Sequence, residues 1–376
     1  MQATQAIINL DNLRKNITLV QKKTGKRICM PVKADAYGHG ALSIARTALS
    51  AGVEYLAVST VEEGRKLREA GINAPIILFS IVLPEEIDFL ISADLEPMAG
   101  DSEYIDVLES RAVKAKKKLP VHLKIDTGMG RIGCNPADAP ALASQISKSK
   151  GLHLAGTATH LAVSDSVKPE DAAYTKMQLD IFCQAVEKIK NVGINPGIVH
   201  AANTGAVTFH NDSWFDMVRP GILLYGYAPE NPEGIPALEV LPLMELRSTL
   251  VFIKEVKKGQ SISYGRIWTA KEDTFVGTIP LGYADGLNRL LSNNWQVLLL
   301  ENTGRDNRKL RPLAGRICMD QCMIDLGRDS TARRWDPVTI FGGLAPHAGI
   351  MASLLSTIPY EITCNINKRV PRVYIE

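Results

Sequence analysis

The chain has 376 residues, of which 45% are hydrophobic and 22% charged, and its formal net charge is +3. That length exceeds what one hydrophobic core organises, so two domains are expected, and the composition excludes a disordered chain. The small charge gives no basis for a nucleic-acid or anionic-membrane partner, and no apolar run is long enough to span a bilayer.

Six cysteines (Cys29, Cys134, Cys183, Cys318, Cys322, Cys364) are scattered without C-x-x-C pairing, which argues against a zinc ribbon and suits a reducing compartment. Residues 1–6 show neither the basic region nor the apolar run of a signal peptide, so the expected location is cytoplasmic.

Taken in order, a lead-in strand around Ala6–Leu10 precedes a helix that Asp11 can cap. Strands are then expected near Ile28–Lys33, Val53–Val58, Pro75–Ser80, Leu95–Ala99, Pro120–Ile125, His153–His160, Ile198–Ala202 and Phe215–Arg219. Helical patterns fill the gaps. Ala41–Ser50 stops at Gly52, Thr60-Val61-Glu62-Glu63 is a capping box opening a helix that ends at Gly71, and Glu103–Lys117 and Asp171–Lys190 are longer helical stretches. Eight βα units whose strands are apolar on both faces predict a (β/α)8 TIM-type barrel, with Pro31 an awkward residue for a central strand.

The pattern changes at Pro229–Pro236, which reads as a turn-rich linker, so the expected domains are 1–236 and 237–376. Beyond it, Leu246–Val256, Thr274–Ile279, Trp295–Leu300, Lys309–Leu313, Met323–Leu326, Val338–Phe341 and Arg369–Ile375 read as strands of a mostly-β domain. One short helix is expected near Ala348–Leu355.

In a barrel the chemistry lies where strands end. The polar residues there are Lys33, Lys124 with Asp126, His160, His200 with Asn203 and Thr204, and Arg219 with Gly221. A lysine closing a buried strand can act as a base or Schiff-base former. Gly128–Gly133 fits G-x-G-x-x-G, but no acidic residue follows at the expected offset and Asn135-Pro136 interrupts the helix start, which argues against dinucleotide binding. No H-x-H or H-E-x-x-H spacing occurs and a metal would leave Lys33 unexplained, so no metal is expected; the phosphate-binding G-x-x-x-x-G-K-[ST] and the G-x-S-x-G patterns are also absent.

Val32-Lys33-Ala34-Asp35-Ala36-Tyr37-Gly38-His39-Gly40 resembles the cofactor-lysine signature of the alanine racemases. The similarity continues through His122-Leu123-Lys124-Ile125-Asp126-Thr127-Gly128-Met129-Gly130-Arg131, His200-Ala201-Ala202-Asn203-Thr204 and Arg219-Pro220-Gly221-Ile222-Leu223-Leu224-Tyr225-Gly226. In the second domain it covers Ser263-Tyr264-Gly265-Arg266, Gly282-Tyr283-Ala284-Asp285-Gly286, Gly315–Asp320 and Pro359-Tyr360-Glu361.

The resemblance implies a pyridoxal 5′-phosphate (PLP) enzyme that interconverts L- and D-alanine by two-base proton transfer on an external aldimine, supplying D-alanine for peptidoglycan. Lys33 would serve one face of Cα and Tyr264, from the β domain of a second subunit, the other, which implies a homodimer with shared sites. Arg131 would orient the tyrosine and the substrate carboxylate, with Met319 donating a backbone N–H to that carboxylate. Tyr37, Thr204, Gly221, Ile222 and Tyr360 would hold the phosphate, with Asn203 beside Thr204; His160 and Arg219 would hold the ring. His200 would bond Arg219, Tyr283 and Tyr360 would narrow the mouth of the site, and Lys124 matches a lysine often carbamylated in this family.

Residue chemistry bears on these roles. Arginine at the pyridine nitrogen cannot take up a proton, so the ring is a weaker electron sink, which suits brief proton removal and disfavours transamination. Inversion needs an acid opposite the base, which a lone lysine cannot supply, and tyrosine, with an ordinary pKa near ~10, must be poised by neighbours such as Arg131 or His160. An amino-acid decarboxylase of similar architecture is disfavoured because such enzymes carry a carboxylate at that nitrogen. A non-catalytic PLP-binding barrel would lack the second domain, and a racemase accepting serine or other side chains stays open.

Overall fold

The computed structural model describes residues 2–230, 238–301 and 307–376. Most of the expected linker, residues 231–236, therefore lies outside the described residues.

The first strand, β1 (Gln5–Asn9), precedes the helix Leu10–Thr24. That helix is capped by Asn9, whose Oδ1 accepts the Asn12 N–H at 2.9 Å; Asp11, the expected cap, lies in the first turn, where its charge meets the positive end of the dipole. Eight parallel strands follow: β2 (Arg27–Pro31), β3 (Tyr55–Val58), β4 (Ile76–Leu78), β5 (Glu96–Ala99), β6 (Leu119–Lys124), β7 (Leu152–Ala158), β8 (Ile198–His200) and β9 (Met217–Val218). They pair in the order β8-β7-β6-β5-β4-β3-β2-β9 and form the expected barrel, nearly closed.

Cys29, Ala57, Ile77, Met98, Ala158 and Met217 fill its core with apolar side chains from six different strands. Pro31 fits because it is the last residue of β2, where its carbonyl accepts the Tyr225 hydroxyl at 2.8 Å. Helices over Ala41–Ser50, Val61–Glu69, Ser102–Lys114, Ala139–Lys148 and Pro169–Asn191 connect the strands. The capping box of Thr60 and Glu63 is present as the spacing predicts.

Strands β10 (Met244–Thr249), β11 (Phe252–Val256), β12 (Ser261–Ile262), β13 (Trp268–Thr269) and β14 (Thr274–Ile279) begin the mostly-β portion. It continues with β15 (Gln296–Leu300), β16 (Arg308–Pro312), β17 (Cys322–Gly327), β18 (Pro337–Phe341) and β19 (Arg372–Ile375). The run expected as one strand over Leu246–Val256 divides because the Leu250 N–H turns to Asp336 O, and β10 and β11 enter different sheets. A six-stranded sheet has the order β16-β15-β18-β10-β1-β19, and a three-stranded one the order β11-β14-β17. In the first, β1 pairs antiparallel with β10 and parallel with β19, so the lead-in strand belongs to this sheet.

Residues Met1–Asn12, Tyr37–Gly40 and Pro242–Glu376 accordingly form one compact unit, and Leu13–Ala36 with Ala41–Leu241 another. Helices Ala348–Leu354 and Pro359–Cys364 decorate the first of these; the second helix is one that six residues are too few to announce by periodicity. Among the described residues no helix is long and apolar enough to cross a membrane.

Candidate active site

Lys33 stands just beyond β2, where the backbone makes an unusual turn. Ala34, Asp35, Ala36 and Tyr37 have φ values of 51°, 53°, 53° and 52°, a left-handed turn built without glycine. Each such residue costs roughly 1–2 kcal/mol, so the turn requires external support. It has it: a Glu63 carboxylate oxygen accepts the Ala34 N–H at 2.7 Å while the other accepts that of Ser59, and Asp35 accepts the Ala41 N–H at 2.8 Å. The capping-box glutamate thus also fixes the residue after Lys33.

Arg219 follows β9 and is 4% exposed. Its Nη1 donates to His200 Nδ1 at 2.7 Å, and its Nη2 donates to the carbonyls of Thr159 (2.8 Å) and Ala201 (3.0 Å) and, at 3.4 Å, to His160 Nδ1. Burial lowers its pKa to about 10, which still leaves it a cation at neutral pH. Among the described residues no carboxylate bonds it directly.

The strand-end residues converge electrostatically on His160. Burial holds that imidazole well below its usual range, helped by the positive charges of Arg219, Lys124, Arg131 and Lys33 in that order. Lys124, 4% exposed at the end of β6, is pushed down to about 7 by burial and then by Arg219. A fraction of it is therefore a neutral amine at physiological pH.

Arg131 rides on a loop gathered by Asp126, whose carboxylate accepts N–H groups of Gly128, Met129 and Gly130 at 2.9–3.1 Å. The loop returns to β6 through Cys134 N–H to Lys124 O at 2.9 Å. The G-x-G-x-x-G spacing therefore serves a carboxylate of the chain itself.

Asn203 caps the short helix Thr204–Phe209, its Oδ1 accepting the Ala206 N–H and its amide donating to Leu161 O. The Thr204 hydroxyl accepts the Leu223 N–H at 3.4 Å, which brings it to the 3-10 turn Ile222–Tyr225 that starts after Gly221. Two backbone starts with N–H groups lacking intrahelical acceptors thus meet at one hydroxyl. At the other end of the barrel, a cavity of about 510 Å³ is lined by Lys26, Arg27, Asn195 and Asp216 but by none of these residues.

The remaining candidates lie in the other unit. The rings of Tyr37 and Tyr360 meet edge-on with centroids 5.2 Å apart. Gly38 permits the chain to pass there, since a Cβ on it would stand 2.1 Å from Thr363 O. Tyr264 is 67% exposed on a strained turn in which Ser263, Gly265 and Arg266 all have positive φ, and Ser263 Oγ donates to Arg316 O at 2.6 Å. The loop from Arg316 carries Met319, and it is tied to the Tyr283 turn by Tyr283 N–H to Cys318 O and Ala284 N–H to Met319 O. Arg369 bridges Asp285 and Asp320 across these two segments.

Residues 8–229 match the family model "Alanine racemase, N-terminal domain", and residues 243–374 match "Alanine racemase, C-terminal domain". The chain is 50% identical to the alanine racemase of Treponema denticola, covering 100% of this chain and 99% of that protein, and 44% identical to that of Treponema pallidum over the full length of both. Among solved structures, alanine racemase from Clostridium difficile superposes with a TM-score of 0.92 at 35% identity, covering 100% of this chain and 96% of the other. The chain belongs to the alanine racemase family.

As a family of isomerases, the alanine racemases place this chain among enzymes. The barrel brings Lys33, Lys124, Arg131, His160, His200 and Arg219 into one electrostatic neighbourhood, with Asn203, Thr204, Gly221 and Ile222 on adjoining turns. Tyr37 and Tyr360 are brought together, as are Tyr283 and Met319, while Tyr264 stands on its own exposed turn. Two contributors escape a reading of strand ends: His122 and Glu96, behind His200. The period of two along β6 places His122 on the face of Lys124 and was the available signal.

Proposed function

We propose that this chain is an alanine racemase that carries PLP on Lys33 and works as a homodimer, each site completed by Tyr264 of the other subunit. The observation that carries the reading is the buried cation Arg219, fixed by His200 and two carbonyls where a carboxylate would stand in most PLP enzymes. The residues fit the cofactor: an amine at a strand end, a guanidinium for a ring nitrogen, and a hydroxyl beside turn N–H groups of Gly221, Ile222 and Thr204 for a phosphate. When bound, PLP acidifies the Cα–H of the amino acid joined to it by delocalising the electron pair left behind.

Lys33 takes or returns the proton on one face of Cα. Tyr264 serves the opposite face, which inversion requires and which its own exposed turn leaves available to a second subunit. Arg131 and the Met319 N–H orient the carboxylate, His160 packs at the ring, and Tyr37, Thr204 and Tyr360 hold the phosphate. Tyr283 and Tyr360 narrow the mouth. Lys124, with its amine partly neutral, is suited to carbamylation, which would turn it into an anion beside Arg131. The product D-alanine serves peptidoglycan assembly, and the free cysteines suit a cytoplasmic setting.

Incubation with L-alanine and PLP in D2O, following chirality and Cα deuterium together, tests the reading. D-alanine bearing solvent deuterium is the expected result. Deuterated alanine of retained configuration would refute the role of Tyr264, and absence of exchange would refute the activity.

A further inference from the structure

Four side chains form an unbroken hydrogen-bonded line through the barrel. Arg219 Nη1 donates to His200 Nδ1 at 2.7 Å, His200 Nε2 lies 3.0 Å from His122 Nδ1, and His122 Nε2 lies 2.9 Å from a carboxylate oxygen of Glu96. Both imidazoles are fully buried, and the Glu96 side chain is 13% exposed. Gly156 makes room for the line, since a Cβ there would stand 2.4 Å from His122 Nδ1. Arg219 follows β9 and Glu96 opens β5, so the line runs from the end of the barrel that carries Lys33 toward the opposite end.

The two ends fix every proton between them. Arginine only donates, so His200 Nδ1 bears a lone pair and its proton sits on Nε2. That N–H donates to His122 Nδ1, which leaves the His122 proton on Nε2 to donate to Glu96. All three bonds point from cation to anion through two neutral rings, and reversing one ring would set N–H against N–H. Burial and the Arg219 charge hold His200 well below its usual range, in keeping with a neutral ring.

We propose that Glu96 and His122 are positioning residues for the racemase reaction, acting through His200 to hold Arg219 in place as the charged donor to the cofactor's ring nitrogen. The assignment rests on the reading of Arg219 given above. Glu96 supplies the counter-charge that Arg219 lacks among its direct partners, delivered through neutral imidazoles so that no anion stands at the ring itself. The other titratable groups facing the line are Cys29, Tyr55, Arg68 and His153 around Glu96, and Lys124 near His200.

Nitrogen-15 NMR of histidine-labelled protein tests the line without cofactor. Both rings should be neutral with the proton on Nε2, and Glu96→Gln, which keeps an acceptor and the volume, should loosen that preference at His122. A cationic His200 or an Nδ1-protonated His122 in the unaltered protein overturns the proposal. With PLP loaded, Glu96→Gln should displace the pH titration of the cofactor's visible absorbance. It should also lower kcat about tenfold with little change in KM, the order expected for one lost charge-assisted partner.

In a His122→Gln background the same substitution should add almost nothing further. Additive effects, or a change in thermal stability alone, would make Glu96 merely structural and overturn the proposal. Protein that takes up no PLP yet shows the expected tautomers would overturn the cofactor reading and this assignment with it. PLP uptake with the wrong tautomers would overturn the line alone.

Discussion

The Asp216 carboxylate accepts the Val199 N–H at 2.8 Å, and the Asp216 N–H donates to Val199 O at 3.1 Å. One residue thereby bonds both backbone groups of Val199 at the seam between β8 and β9, where the barrel's strand ladder is interrupted. Together with Arg219 N–H to Ala202 O at 2.8 Å, this bond sets the register that carries His200 and Arg219. Asp216→Ala would leave the Val199 donor unmet, at a cost of roughly 1–3 kcal/mol, whereas Asp216→Asn keeps an acceptor and should cost much less. Urea unfolding read alongside amide exchange checks this: exchange at Val199 should quicken in the alanine variant before the amides of β6 do. Equal midpoints for all three proteins would show that the seam holds without the carboxylate.

Lys124 should make stability depend on pH. Its amine loses its proton near pH 7 in the folded chain, against an ordinary value of 10.5. Between those values the unfolded state binds the extra proton, so this group's contribution to stability rises from about pH 7 toward 10.5, and its full penalty is present below 7. Lys124→Met removes both the penalty and the slope. In CO2-free buffer the variant should gain most over the parent near pH 6 and progressively less toward pH 9. Unfolding midpoints across that range decide it, and a constant difference would mean that the lysine is not desolvated as its burial requires.

The barrel was legible because its strands are short apolar runs punctuated by glycine and capping signals, and because Lys33, Lys124, His200 and Arg219 stand at or just past their ends. Other features were hidden for physical reasons. Ala34-Asp35-Ala36-Tyr37 has ordinary helix-compatible chemistry, and its left-handed course is imposed by Glu63, 29 residues away from Ala34 in sequence. Asn9 won the helix cap over Asp11 because the helix already begins at Leu10, which leaves Asp11 inside the first turn. The partnership of β1 with β10 and β19 joins segments more than two hundred residues apart, which local periodicity cannot show. The line from His200 to Glu96 was hidden similarly, since no spacing rule links residues on three separate strands.

Arg219→Glu places an anion where the chain holds a cation amid His200, Thr159 O and Ala201 O. A carboxylate at the ring nitrogen would let that nitrogen hold a proton and strengthen the electron sink. Racemisation should slow and half-transamination should quicken, read as pyridoxamine phosphate formed per turnover. Two carbonyls that now accept from Arg219 would face the new carboxylate, so a stability measurement must accompany the assay. If pyridoxamine phosphate forms no faster in folded, PLP-loaded variant, the electron-sink argument is wrong.

Tyr264→Phe tests the division of labour between faces. The ring stands 67% exposed on a turn held by Ser263 Oγ to Arg316 O, so removing its hydroxyl should leave the turn intact and stability within about 0.5 kcal/mol. Lys33 keeps its position through the Glu63 and Asp35 bonds, which the substitution does not touch. Proton removal from the enantiomer that presents its Cα–H to Lys33 should therefore persist, while removal from the other should fall by about a hundredfold or more, in line with loss of a general base. Solvent deuterium exchange measured separately on L- and D-alanine reads the two faces directly. Equal slowing for both enantiomers would overturn the assignment of Tyr264 to one face and Lys33 to the other.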